Sequence, residues 1–169
     1  MKNKVNIEVF YPHSPERVWA ALTESDSLGC WLMPTTFKPI LGLRFRFDAF
    51  KRGSSDSVNG VVLEVQPGKK LVYTWEDGED DAPGVVSWTL HPKDGGTHLR
   101  LEHVRAEEDR PVVLIEASAN WRYALHSALP AILCRRKPMT PIVYVEEDLN
   151  TETEPKRRAG FRQEEAPCC

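Results

Sequence analysis

The chain has 169 residues, 41% of them hydrophobic and 28% charged, with a formal net charge of −3, which fits one globular domain with room left for a tail. No apolar run approaches the roughly 18 residues that a membrane span needs, and the N-terminal "MKNKVNIEVF" has no long apolar region of the kind that marks a secretory signal, so a cytoplasmic protein is expected. The whole negative balance comes from the residues after Val145, and a body without net charge gives no electrostatic case for nucleic acid.

"VNIEVFYP" alternates Val5, Ile7 and Val9 with polar residues and predicts a half-buried strand. "HSPERVWAALTES" follows as a helix, with Ser14 as N-cap, Pro15 at the first helical position and an apolar face of Val18, Trp19 and Leu22. "DSLGCWLMP" allows one more short helical turn, with Asp26 as its cap and Pro34 as its stop. The period then changes to two. Leu43, Phe45 and Phe47 share one face of "LGLRFRFDAF"; "VVLEV" and "KLVYTWE" form a hairpin about Pro67-Gly68; Val86, Trp88 and Leu90 share a face; and so do Leu99, Leu101 and His103, with Gly95-Gly96 as the turn between these last two strands. Five strands in series with short links predict an antiparallel meander.

"VVLIEASANWRYALHSALPAILCRR" has helical length and period, with Leu114, Ala117, Trp121, Leu125, Ala128 and Ile132 on one stripe and Pro130 as a kink or an end to its regular part. After Lys137 the sequence is proline-punctuated and polar: "IVYV" reads as a short strand or a packed segment, and disorder is expected from about Glu146. Each strand has one polar face, so the sheet is covered on one side, and the C-terminal helix is the element long enough to cover it. The expected fold is therefore α+β: a curved antiparallel sheet wrapped around a long C-terminal helix, with two short helices after the first strand. Residues 1–137 form this domain and 138–169 an extension.

"SPERVWAALTES", "LGCWLMP", "GLRFRF", "GVVLEVQPGKKLVYTWEDGE", "VSWTLHPKDGGTHLRLEH" and "NWRYALHSAL" together resemble the SRPBCC superfamily of START-like, birch-pollen-allergen-like helix-grip proteins. Within it, the chain is similar to the family named after the C-terminal domain of the activator of heat-shock-protein-90 ATPase. The resemblance covers roughly residues 5 to 135. It implies an internal space between helix and sheet that takes a small apolar or amphipathic molecule. The family also holds cyclase-like enzymes, self-resistance proteins and co-chaperone domains, so fold alone does not choose among them. Asn120 stands before Trp121 where the family often has Gly, and "VRAEEDRP" is shorter than the usual link to the last helix.

The candidate ligand-binding residues are Trp31, Phe45, Phe47, Tyr73, Trp75, Trp88, Leu99, Leu101, His103 and Trp121. Such a set reads either as packing or as the apolar wall of a pocket with a few polar groups. His103 is the leading polar candidate, as a hydrogen-bonding group, as a general base, or as a residue of the exposed rim. Tyr73 is a possible donor, with Glu116 or Asn120 opposite it on the helix. No catalytic pair is recognisable, and no histidine pair or CxxC spacing marks a metal site, so neither a catalytic residue nor a cofactor is assigned. The acidic tip from Glu76 to Asp81 has Ala82 and Trp88 where a calcium loop needs Gly and Glu, and reads as a solvated hairpin end. The first expectation is non-catalytic binding of a small apolar or amphipathic ligand; the alternatives are a chaperone ATPase-activating module and a cyclase- or hydrolase-like enzyme using the same space.

Overall fold

The computed structural model describes residues 4–48, 57–77, 83–105 and 111–135, with only the backbone for 111–116. The expected "IVYV" strand, the tail and most of the acidic tip lie outside the described residues. Six strands, β1 (Lys4–Tyr11), β2 (Arg44–Phe47), β3 (Val58–Gln66), β4 (Lys70–Trp75), β5 (Gly84–Lys93) and β6 (Gly96–Val104), form one antiparallel curved sheet in the order β1-β6-β5-β4-β3-β2. The meander β2 to β6 is the predicted one, and β1 closes beside β6 with Lys4 opposite Val104 and Tyr11 opposite Thr97.

Turn chemistry sets the hairpins. Gly68 has φ 72° and Lys69 N–H donates to the Gln66 carbonyl at 2.9 Å, so Pro67-Gly68 is a type II turn. Between β5 and β6 the turn residues are Asp94 and Gly95, with φ 49° and 76°, the signature of a type I′ hairpin. Gly96, read from sequence as turn, is already the first residue of β6.

α1 (Pro15–Thr23) begins as its sequence requires, with the Ser14 hydroxyl accepting from the Arg17 N–H. α2 (Ser25–Trp31) starts earlier than expected. Glu24 stands at its cap without a side-chain bond to a helix N–H, Asp26 lies in the first turn where a carboxylate suits the helix dipole, and Cys30 is inside the helix. The sheet's inner face is also shared more widely than expected: α1 packs on β5 and β6, and α2 presents Trp31 to the edge of Trp88.

The C-terminal helix runs as α3 (Pro111–Tyr123), a π-helical turn (Ala124–Ala128) and α4 (Leu129–Leu133). Pro130 explains the π turn. It has no N–H and its ring clashes with the fourth carbonyl behind it, so the helix widens just before it and the Leu129 N–H reaches Ala124 O, five residues back. This shift leaves the Leu125 carbonyl without a backbone donor, because its next candidate is Pro130 itself. The Tyr11 hydroxyl supplies the missing bond at 2.6 Å, buried. The buried stripe continues through Leu125 to Leu129 and Leu133, and the predicted Ala128 and Ile132 lie partly buried against the same core. Tyr11→Phe should therefore lower stability by about 1–2 kcal/mol, the cost of leaving a buried carbonyl unpaired; urea unfolding of this variant beside wild type measures it.

Candidate functional site

Every strand turns one face inward because its apolar residues fall at period two, and these faces meet the helices in a single buried cluster. All ten sequence-predicted site residues lie in or against it. Trp31, Phe45, Phe47, Tyr73, Trp75, Trp88, Leu99, Leu101 and Trp121 are buried hydrophobics, and His103 is buried at 1% exposure rather than at the rim. Asn120 is exposed, so it does not face Tyr73. Glu116 lies outside the described side chains.

The rings form one connected surface. Phe45 touches Phe47 and Tyr73 edge-on, with centroids 5.3 and 5.2 Å apart. Trp75 carries the surface on, 5.7 Å from Phe47 and 5.2 Å from Trp121. Trp121, from α3, stands edge-on to Trp88 at 5.5 Å. Phe37 joins at 4.9 Å from Phe45, although it lies in a proline-flanked loop where no periodicity pointed to it. The glycine at position 60 makes room for this packing: the Phe45 ring lies where a Cβ at Gly60 would go.

Two polar groups sit within the aromatic surface. The Trp88 indole donates to the Tyr73 hydroxyl oxygen at 2.9 Å, and burial pushes the Tyr73 phenol well above its ordinary value, so it keeps its proton. The Trp121 indole donates to His103 Nδ1 at 3.1 Å. An indole N–H only donates, so Nδ1 carries the lone pair. Burial, with help from the Arg105 guanidinium and against a weaker pull from Asp77, lowers the His103 pKa to about 4. The imidazole is neutral at ordinary pH and its proton sits on Nε2. That Nε2 is buried and has no hydrogen-bond partner among the described residues. Both ring nitrogens are thus committed, one as an acceptor and one as a donor, which leaves no free lone pair for the general-base role considered from sequence.

An ion pair borders this region. Arg105, just past β6, makes two bonds to Asp77, just past β4, at 2.7 and 2.8 Å. Burial raises the Asp77 carboxyl, but the Arg105 guanidinium outweighs it and, with a bond from the Trp75 side chain, holds the group below the usual carboxylate range. The pair spans the start of β5, where Gly84 faces Trp75 in register. Gly84 carries no side chain because His103 needs the space: a Cβ there would stand 2.8 Å from Nε2.

Among the described residues, the buried polar side chains are Thr23, Thr97 and His103, and none is ionised. The described residues also contain no group of three or more metal-ligating side chains and no helix long and apolar enough to cross a membrane. The arrangement therefore offers ring contacts, dispersion and two neutral hydrogen-bonding groups.

A family model described as activator of Hsp90 ATPase homolog 1-like protein matches residues 12–133. Among solved structures, protein MLL2253 from Mesorhizobium loti is 34% identical, with a TM-score of 0.72, over 79% of this chain and 98% of that one. DynU16, from the dynemicin biosynthetic locus, is 22% identical with a TM-score of 0.70, over 80% of this chain and 49% of its own. CalU16 from Micromonospora echinospora is 24% identical with a TM-score of 0.63, over 77% of this chain and 75% of its own. These last two share the fold. No curated protein matches the chain.

Proposed function

The chain belongs to the activator of Hsp90 ATPase homolog 1-like family, and on that premise we propose that it binds a small apolar or amphipathic molecule, without converting it chemically, between its sheet and its C-terminal helix. The observation that carries this reading is the connected aromatic surface of Trp75, Trp88 and Trp121, joined across the helix–sheet contact and free of ionised groups among the described residues. Apolar walls with a few placed polar groups are the usual make-up of small-molecule sites. The neutral, doubly committed His103 and the proton-holding Tyr73 favour binding over acid–base chemistry.

Trp75 is the wall residue to test, at 9% exposure beside the ion pair that borders the site. The neighbouring Thr74 is a poor control, because its hydroxyl accepts the Val61 N–H at 2.9 Å. Ser87 is a better one, half-buried on the opposite face of β5 from Val86 and Trp88. With the neutral fluorescent ketone 6-propionyl-2-dimethylaminonaphthalene as the probe, Trp75→Ala should weaken binding about tenfold, as expected when one aromatic contact of about 1.4 kcal/mol is lost. Ser87→Ala should stay within about twofold of wild type. Fluorescence titration of both variants, with near-ultraviolet circular dichroism to confirm their folding, decides the matter, and equal effects at the two positions would overturn the reading.

A further inference from the structure

His103 carries an N–H donor that the fold holds in place and that has no partner among the described residues. Trp121 fixes the ring from the Nδ1 side. Trp75 and Trp121 flank it, with ring centroids at 5.8 and 6.2 Å. Gly84, without a side chain, lets the ring pack against β5, where a Cβ would stand 2.8 Å from Nε2. Burying an N–H unpaired is unfavourable, and native proteins leave few such groups without a reason. The ring is held from its other side, so its Nε2–H is the group to which an acceptor from outside the chain would bind.

Resting on the reading that this interior takes a small molecule, we propose that His103 Nε2–H is the hydrogen-bond donor to that molecule, and that the ligand class is a neutral, ring-containing compound bearing an oxygen acceptor such as a ketone, ester or amide carbonyl. The flanking indoles supply the preference for rings, since planar groups gain most from stacked and edge-on contacts. Neutrality follows from the charge inventory: among the described residues no buried cation stands in the interior to balance a carboxylate or phosphate, and an unbalanced buried charge is strongly unfavourable. A donor-only molecule fits less well, because it would meet the Nε2–H with another donor.

The test uses the full chain and a matched pair of probes. 2-Acetylnaphthalene presents a carbonyl, and 2-isopropylnaphthalene has nearly the same shape without an acceptor. Calorimetric titration should show the ketone binding about tenfold more tightly, the worth of one good hydrogen bond to a buried donor. Long-range nitrogen–proton correlation spectra of the histidine side chains, with the His103→Gln spectrum identifying the His103 signals, should show the Nε2-protonated form and a shift of its signals on adding the ketone alone. In His103→Leu the preference for the ketone should disappear; if that variant does not fold, the wild-type spectra decide. Equal binding of the two probes, or a proton found on Nδ1, overturns this inference and leaves the apolar-binding reading standing. If neither probe binds at all, both are overturned.

Discussion

Trp88→Ala is expected to lower the unfolding free energy by about 3–5 kcal/mol, the range for deleting a large buried aromatic. Trp88 is 1% exposed at the middle of β5. Its ring meets Trp31 and Trp121 edge-on, at 6.3 and 5.5 Å, so its loss removes contacts to two helices at once. It also removes the bond to the Tyr73 hydroxyl. A domain of this size is stable by roughly 5–15 kcal/mol, so the variant should sit near the edge of folding. Trp88→Phe keeps a ring and loses the donor, and should cost about 1–2 kcal/mol. Urea unfolding, read as a shift in midpoint at constant slope, measures both. The alanine value also reports on the site. A loss below about 1 kcal/mol would mean that Trp88 already borders a void, because the cost of a truncation grows with the cavity it creates.

Much of this architecture was legible because the relevant signals are local. Alternation in Leu99, Leu101 and His103, or in Val86, Trp88 and Leu90, fixes which face is buried whatever the strand pairs with. Ser14 and Pro15 mark a helix start by their own backbone chemistry. The misses arise where the outcome depends on a residue elsewhere in the fold. Pro130 announced a disturbance in the helix, but not that a π turn would absorb it, with Leu129 and Leu133 buried more deeply than the predicted Ala128 and Ile132. The partner of the freed carbonyl, Tyr11, is 114 residues away in β1. Its burial was within reach, since it continues the parity of Val5 and Ile7; its bond was not.

The site divides the same way. Nine of the ten predicted residues came from strand phase or helix phase, Trp31 lies in "LGCWLMP", one of the segments that carry the resemblance, and the interior gathers all of them. Phe37 carried no phase, because a residue between Pro34 and Pro39 belongs to no repeating pattern. The Arg105–Asp77 pair joins the ends of two strands that are not neighbours, and no spacing along the chain encodes it. His103 was recognised by position, but its protonation is set by Trp121 and by burial, which only the packed structure supplies. A histidine in strand phase can be rim, base or donor. Burial takes it from the rim, and the indole beside Nδ1 places the ring proton on Nε2.

That assignment gives the stability of the protein a specific dependence on acid. In the folded chain the His103 pKa lies at about 4, below its ordinary 6.5. The unfolded chain therefore takes up a proton in the window between these values and the folded chain does not, so the contribution of this group is complete above pH 6.5 and drains away as the pH falls towards 4. The loss should reach about 2 kcal/mol at pH 5 and level off near 3 kcal/mol once both states are protonated. His13, whose pKa is lowered by burial and by Arg17, adds a change of the same sign, so wild type must be compared with His103→Gln, which keeps an acceptor for the Trp121 indole. Asp77 is held below its ordinary 3.8, so its own contribution is lost only at lower pH. Denaturant unfolding at pH 7 and pH 5 should show wild type losing about 2 kcal/mol more than His103→Gln over that interval. If the two proteins instead lose stability in parallel, the imidazole titrates as it does in water, and a buried neutral donor at His103 is no longer tenable.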